Sequence, residues 1–399
     1  MKFHVGFFVS VICQEPWSYV SIPLWLRNSN MTPIQRLKFS RTADIEFVKT
    51  LKTRVAEYFE DKQITKHGNA GMVIKTVSLL LLYLVPLGFI ISGYVSHPIL
   101  LFIMWVMMAV GMIGIGMSIM HDANHGSYSS NPKVNKALGY LINIVGGSAI
   151  VWKIQHNVLH HSFTNIDGHD GDIDTGGILR LSPNTKRFWI HRLQAFYAWF
   201  LYGLMTISWA TAKDFVQIFD FRKRGLTVKG RGKFTMQVTR MTIAKLLYWG
   251  VVLALPLWLN PAAWWVTLLF FLTMHFIAGV FSAIVFQSAH VVPDAECPIA
   301  PEDGRVEVSW FVHQLRTTCN FSPKSRVFSW FVGGLNYQIE HHLFPNISHV
   351  HYRKLSKIVQ QTANEYGIPY HVYPNFMLVV WAHTKHLWRL GNPRSVAGI

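Results

Sequence analysis

Long apolar segments separated by polar connectors are the first pattern visible along the chain. Four segments are apolar over about 20 residues, the length at which a helix crosses a bilayer. They begin at Val73, Pro98, Met241 and Ala262, and the second runs to Met120. The pattern predicts four transmembrane helices.

A fifth apolar segment, LQAFYAWFLYGLMTISWA, begins at Leu193. If it crossed the membrane, the histidine-rich segments near His156 and His341 would lie on opposite faces. Its Trp and Tyr side chains are typical of a position at the level of the lipid headgroups. We therefore expect an interfacial or re-entrant helix, and from Ala295 to Ile399 a more polar helical cap without a span.

The charges predict which side of the membrane the connectors face. Lys and Arg are concentrated before the first span and between Lys213 and Arg240, whereas the links at Ser96–His97 and Asn260–Pro261 contain neither. Basic connectors face the cytoplasm. The four helices should therefore form two hairpins that enter from the cytoplasmic side, which we expect to be that of a bacterial inner membrane.

Composition agrees with an all-α integral membrane protein. The 399 residues are 51% hydrophobic and only 14% charged, against about 25% charged in soluble domains. The net charge of +17 suits anionic lipid or an acidic electron-transfer protein. Because the apolar spans account for this basic excess, we expect no nucleic-acid partner.

No composition break divides the chain into soluble-type domains. We expect a cytoplasmic N-terminal lead at residues 1–72 and one membrane domain at residues 73–399. We also hypothesise that translation begins at Met31, so that residues 1–30 are not native. Cys13, Cys297 and Cys319 are scattered and predict neither a disulfide framework nor a zinc knuckle.

Three histidine groups are the strongest chemical signal. They are HDANH from His121, HNVLHH from His156 and QIEHH from Gln338, and a single candidate, His290, ends the last span. Histidines four apart share one face of a helix. In the two-hairpin topology all of these groups lie on the same side of the membrane.

This set of histidines favours two redox-active metal ions. Structural zinc would use cysteine in a closed four-ligand site, and a carboxylate-bridged di-iron bundle would show paired Glu-x-x-His motifs; neither pattern is present. Iron that activates oxygen uses all eight candidate ligands, with solvent or Gln338 completing the shells. The eight are His121, His125, His156, His160, His161, His290, His341 and His342.

Acidic residues near the histidines are candidates for supporting hydrogen bonds. Metal-bound histidine usually donates its second N–H group to a carboxylate or carbonyl. Asp122 and Glu340 are the natural partners. The sequence GHDGDIDTGG, with Asp170, Asp172 and Asp174, either orients histidines and lines an entrance or forms a solvated loop.

The segments HDANHGSY, HNVLHHSFTN with GHDGDID, and NYQIEHHLFPNISH resemble the three histidine boxes of the membrane fatty acid desaturases. Gln338 is similar to the third box of front-end and linoleoyl-CoA or delta-6 type enzymes. The resemblance implies two iron ions cycling between Fe²⁺ and Fe³⁺, O₂ as co-substrate, and the same eight histidines as ligands. Phe286 occupies a position where some relatives have asparagine.

The resemblance also implies partners. The substrate would be a long-chain fatty acyl group carried on CoA, acyl carrier protein or a phospholipid ester. Because the chain lacks the His-Pro-Gly-Gly core of a fused haem domain, electrons would come from a separate ferredoxin or a free cytochrome.

Two other functions remain open from the residues. The same iron pair could hydroxylate acyl chains or alkanes, in which case the product would carry a hydroxyl group and no new double bond. A proton-coupled transporter would need histidines inside the spans, whereas the groups lie at span ends and in the polar cap.

Overall fold

Helices make up most of the structure, a computed structural model that describes residues 37–393. The proposed start at Met31 and Cys13 lie outside the described residues. The helices are α1 (Ile45–Asp61), α2 (Ala70–Ile91), α3 (Pro98–Asn124), α4 (Pro132–Gly139), α5 (Leu141–Ile144), α6 (Ala149–Phe163), α7 (Gln194–Gly203), α8 (Met205–Ser208), α9 (Asp214–Lys223), α10 (Arg231–Leu259), α11 (Trp264–His290), α12 (Trp310–Thr317), α13 (Arg326–Phe331), α14 (Gln338–Leu343), α15 (Tyr352–Glu365) and α16 (Phe376–Gly391). Short parallel pairs join β1 (Lys38–Phe39) to β2 (Arg305–Val306) and β3 (Cys319–Phe321) to β4 (His371–Tyr373).

Four of the described helices, α2, α3, α10 and α11, are long and apolar enough to cross a membrane. This confirms the four predicted spans and makes the chain a multi-pass membrane protein. Two boundaries differ from the prediction. Helix α3 continues beyond Met120 and so carries HDANH, the first of the three histidine segments in the sequence. Helix α10 begins at Arg231 rather than Met241, because long basic side chains can extend towards water from the end of an apolar helix.

The segment from Leu193 forms the short helices α7 and α8, which are not among the four candidate spans. Helix α7 packs closely against α11. A Cβ atom built on Gly279 would lie 2.6 Å from the carbonyl oxygens of both Tyr202 and Gly203. Only glycine at position 279 allows the two helices to approach this closely.

Replacing Gly279 with alanine is expected to lower the unfolding temperature of the purified protein by several degrees, since an added methyl group that meets backbone atoms costs about 1–3 kcal/mol. The measurement is thermal unfolding in detergent. Gly88→Ala in α2 is the matched control, because its new Cβ would meet nothing within 4 Å. Equal unfolding temperatures for the two variants would contradict the close packing of α7 on α11.

A sharp bend that the hydrophobic pattern did not predict lies between α5 and α6. The helical segments on its two sides are bent by 112°, and Gly146 in the turn has a φ of +91°. Lys245, buried in α10, donates to the Gly146 carbonyl at 3.0 Å and to the Asp214 carboxylate at 2.7 Å. The bend turns α6, with its histidines, back towards the end of α3.

The cap is built from the C-terminal helices together with part of the N-terminal lead. Helix α1 packs against α15 through buried side chains that include Phe47 and Leu51, and Arg54 pairs with Glu365 at 2.7 Å. The same apolar cluster contains residues of α12 and α14. This packing covers the ends of the spans at which the histidines lie.

Candidate metal centre

Histidines from four separate helices converge in two groups. Within each group, one ring nitrogen of every member lies within 4.8 Å of the others. The first group contains His121, His125, His156 and His341, and the second contains His160, His290 and His342. These side chains are buried or nearly so.

Wide helical turns position the histidines of α3 and α6. Residues Ile115–Met120 and Lys153–His160 form π-helical turns, in which hydrogen bonds join residue i to i+5. The first precedes His121 directly, and the second contains His156 and His160. Such turns are frequent at functional sites.

Several ring nitrogens of the first group, and that of His161, lie within hydrogen-bond distance of a neighbouring ring nitrogen. The Nε2 atom of His156 lies 3.3 Å from that of His121 and 3.2 Å from that of His161. The Nε2 atoms of His161 and His341 are 2.9 Å apart. The His161 ring also stacks on His342, with centroids 4.3 Å apart, so His161 lies between the two groups.

The opposite nitrogens are held by hydrogen bonds. The Nδ1 atom of His160 contacts the Asp170 carboxylate at 2.9 Å, and that of His342 contacts the Gln314 side-chain oxygen at 2.9 Å. The Nδ1 atom of His290 contacts the Thr317 carbonyl at 3.2 Å, and that of His341 contacts the Tyr352 hydroxyl at 3.2 Å. The carboxylate, amide and carbonyl oxygens can only accept, so Nδ1 of His160, His342 and His290 donates and Nε2 is left free as a ligand.

The residues fit bound metal. The buried Nε2 atoms of His125, His290 and His342 have no hydrogen-bond partner among the described residues, and such atoms are costly unless another group satisfies them. Burial and neighbouring imidazoles lower the pKa of His341 and His342 well below the ordinary value. Both rings are therefore neutral at pH 7, which is the form that binds metal.

The acidic candidates occupy different positions. Asp170 contacts His160 and accepts hydrogen bonds from the backbone N–H groups of Asn165 and Asp172. Although burial favours the neutral acid, the His160 ring and these donors hold the pKa of Asp170 below its ordinary value. Asp172 lies 3.5 Å from His160, whereas Asp174 accepts from Gly176 N–H in an exposed turn.

Glu340 and Gln338 do not contact the ring nitrogens in the way that Asp170 does. The Glu340 carboxylate accepts hydrogen bonds from Asn320 and Tyr370, both at 2.8 Å, and burial raises its pKa to about 8. Gln338 is buried, and its Nε2 atom has no partner among the described residues. The expected contact of Glu340 with histidine is therefore replaced by a link to Asn320 and Tyr370.

A model of the fatty acid desaturase family matches residues 74–374, which includes every histidine of both groups. The chain belongs to the fatty acid desaturase family. It is 32% identical to an sn-1 linoleoyl-lipid 6-desaturase of Synechocystis over 90% of this chain and 99% of that protein. It is 34% identical to an acyl-lipid (8-3)-desaturase of Physcomitrium patens over 89% of this chain and 74% of that protein.

Beside the histidines, the desaturase contains a cavity of about 820 Å³, within the range of small-molecule sites. His156, His160 and His290 form part of its wall. Most of the remaining wall is apolar, with contributions from α6, α7, α8 and α11; examples are Val151, Leu201, Met205, Ala283 and Phe286.

Asp122, a predicted supporting residue, belongs to a buried chain of polar groups behind His121 whose other members were not predicted from the sequence. Asp122 accepts from the Ser348 hydroxyl at 2.8 Å and from His349 Nδ1 at 2.9 Å. His349 Nε2 in turn lies 2.9 Å from the Lys75 ammonium group, which also donates to the Trp330 carbonyl at 2.5 Å. An ammonium group can only donate, so His349 accepts at Nε2 and donates at Nδ1.

Lys75 carried a signal that the sequence analysis did not use. It lies near the start of the first apolar segment, VIKTVSLLLL, and ionisable residues within a membrane span usually have a functional partner. Its ammonium group fixes the orientation of the His349 ring. His349 in turn bonds to the carboxylate of Asp122, the residue that follows His121 in the sequence.

Replacing Asp170 with asparagine is expected to lower the iron content of the purified desaturase about 10-fold under chelator competition. In asparagine an NH₂ group replaces one carboxylate oxygen and would face the groups that donate hydrogen bonds to Asp170. The His160 ring would then lose the hydrogen bond that fixes its orientation. Iron per protein, measured by mass spectrometry, is the test. Asp174→Asn is the control because Asp174 is exposed. Equal iron retention in both variants would contradict this role for Asp170.

Proposed function

We propose that this desaturase introduces a cis double bond into a long-chain acyl group of a membrane lipid, with two iron ions held by the two histidine groups. The observation that carries the proposal is the convergence of seven imidazoles, in sets of four and three, at the wall of a largely apolar cavity. The relatives named as lipid desaturases support a lipid-linked substrate.

The overall reaction is R–CH₂–CH₂–R′ + O₂ + 2 e⁻ + 2 H⁺ → R–CH=CH–R′ + 2 H₂O. Bound iron would supply the activation of oxygen that breaking two unactivated C–H bonds requires. His121, His125, His156 and His341 would hold one ion, and His160, His290 and His342 the other. His161, between the groups, would complete either shell, and Gln338 is a further candidate ligand.

The protein contributes position and exclusion of water. Apolar side chains of α6, α7 and α11 bind the acyl chain, and the histidine-lined part of the wall selects which carbon pair can react. Phe286 lies beside this wall, with its ring 6.4 Å from that of His156. The Phe286 ring, at a position where some relatives have asparagine, would press the acyl chain towards the metal centre.

Electrons would come from a separate ferredoxin or free cytochrome. The excess of basic residues favours an acidic carrier, because opposite charges speed encounter. We propose that the metal centre lies on the cytoplasmic side of a bacterial inner membrane; the basic residues around α9 support the cytoplasmic side by the positive-inside rule.

The test is expression in a host that lacks polyunsaturated fatty acids, with candidate fatty acids supplied and total lipids profiled by gas chromatography. A new cis-unsaturated product in the lipid fraction supports desaturation of lipid-linked chains. A hydroxylated chain without a new double bond would instead identify a hydroxylase and reject the proposal.

A further inference from the structure

An exposed apolar surface on α7 and α16 lies outside the four spans. On α7 the exposed side chains include Phe196 (69% exposed) and Phe200 (59%), one helical turn apart. On α16 they include Met377 (69%) and Trp381 (58%), again four residues apart. Each helix buries its opposite face, so each presents one apolar stripe outward.

The two stripes form one surface because the helices pack side by side in opposite directions. Phe196 meets Trp388 edge to face, with ring centroids 6.2 Å apart. The Tyr202 hydroxyl contacts His383 at 2.8 Å, and Gln194 donates to the Leu387 carbonyl at 2.8 Å.

The surface is continuous with the outer face of the span α11. The Phe200 ring lies 6.3 Å from that of Phe276, which is itself partly exposed on α11. The close contact of α7 at Gly279 is eleven residues before His290, the last residue of the span. At 1.5 Å per residue this is about 16 Å from the end of the span. Because the 27 residues of α11 are about 10 Å longer than a hydrocarbon core of about 30 Å, the contact lies at a depth of about 6–16 Å inside the core.

The charges agree with such a depth. No charged residue occurs from Gln194 to Ala212, which includes all of α7 and α8. In α16 the charged residues are confined to the last two turns, at Lys385 and Arg389, and Lys385 Nζ lies 5.3 Å from the centre of the Trp381 ring. That end meets the start of α7, where Asn392 donates to the Arg192 carbonyl at 3.1 Å.

We propose that α7 and α16 form an antiparallel pair immersed in the leaflet next to the metal centre, without crossing the membrane. Their apolar ends lie among acyl chains, and their basic ends lie at the level of lipid phosphates, as expected for long cationic side chains that extend to the interface. The C-terminal helix is thus part of the membrane-facing surface rather than of a water-exposed cap.

This placement does not depend on the proposed function, but it has a consequence for it. Leu201 and Met205 line the cavity from the inner side of the α7–α8 segment, while Phe196 and Phe200 face outward. One helical segment therefore separates the leaflet from the cavity, which suits a substrate that is itself a bilayer lipid.

The experiment uses spin labels on single cysteines in the full-length protein, after replacement of Cys13, Cys297 and Cys319 by alanine. Labels are placed by Phe196→Cys, Met377→Cys, Trp381→Cys and Trp388→Cys, with Gln360→Cys on the exposed face of α15 as the control. The protein is reconstituted into vesicles of phosphatidylcholine and phosphatidylglycerol. Accessibility to O₂, which concentrates in lipid, is compared with accessibility to a water-soluble nickel chelate.

The expected ratio of O₂ to nickel accessibility is severalfold higher at positions 196, 377 and 381 than at 360. The ratio should also rise along α16 from position 388 to 381 to 377, because the helix runs deeper into the leaflet in that direction. Nickel accessibility equal to that at 360 would place the surface in water and overturn the proposal. Low accessibility to both reagents would show that protein, such as a second copy of the chain, covers the surface, and would overturn it equally. Background and labelled proteins are checked for retained iron, so a misfolded variant is recognised and replaced by its neighbour in the series.

Discussion

Replacing His341 with alanine is expected to reduce desaturation by at least about 100-fold, because loss of a proposed direct ligand should exceed the 10–100-fold cost of losing a supporting partner. The ring belongs to the first group, and its Nε2 atom lies 2.9 Å from that of His161. Iron content should fall from two ions towards one per chain. The measurements are product by gas chromatography and iron by mass spectrometry on the same preparation.

His97→Ala is the control for this variant, since His97 is exposed in the connector between α2 and α3. It should retain both iron and product. If His341→Ala also retained normal iron and product, the assignment of the first histidine group as a metal site would be wrong.

Replacing Lys75 with methionine is expected to weaken iron binding about 10–100-fold, although Lys75 does not belong to either histidine group. Methionine fills a similar volume but cannot donate to His349 Nε2. The imidazole is then free to change tautomer or rotate, and Asp122 loses its fixed partner next to His121. The measurement is iron retention against a graded concentration of chelator, together with the Mössbauer spectrum of the remaining iron.

The chain offers a matched control in a second buried lysine within a span. Lys245 bonds to Asp214 at 2.7 Å, to the Gly146 carbonyl at the α5–α6 bend and to the Trp209 carbonyl between α8 and α9. The structure shows no hydrogen bond from it to a described histidine of either group. Lys245→Met should lower the unfolding temperature, and because Lys245 supports the bend but contacts no histidine of either group, it should change iron retention and the Mössbauer spectrum less than Lys75→Met does. Identical iron affinity and spectra in both variants would show that Lys75 has only a structural role.

The sequence predicted the spans and the three histidine segments because both are local patterns. An apolar run of about 20 residues requires a helix that satisfies its own backbone in lipid, and histidines four or five apart must lie near one another on a helix. The resemblance of the three boxes to those of the desaturases therefore pointed to the correct family. The same patterns predicted that the segment from Leu193 would not be a fifth ordinary span.

Contacts between distant segments could not be predicted in this way. His161 and His341 are 180 positions apart, and their proximity depends on the 112° bend before α6 and on the cap that carries α14. Glu340 adjoins a histidine in the sequence, yet its side chain contacts Asn320 and Tyr370 rather than a histidine ring nitrogen. Which neighbour a side chain meets is set by the rotation of its helix and by the packing of remote segments.

By itself, therefore, the sequence determined a four-span helical membrane protein of the desaturase type with eight candidate metal ligands. The tertiary structure decided how those ligands divide into two groups, which carboxylates support them, and that Lys75 reaches Asp122 through His349. The physical reason is that hydrophobic burial depends on residue type and local spacing, whereas hydrogen bonds between buried groups depend on atomic distances that only the packed chain sets.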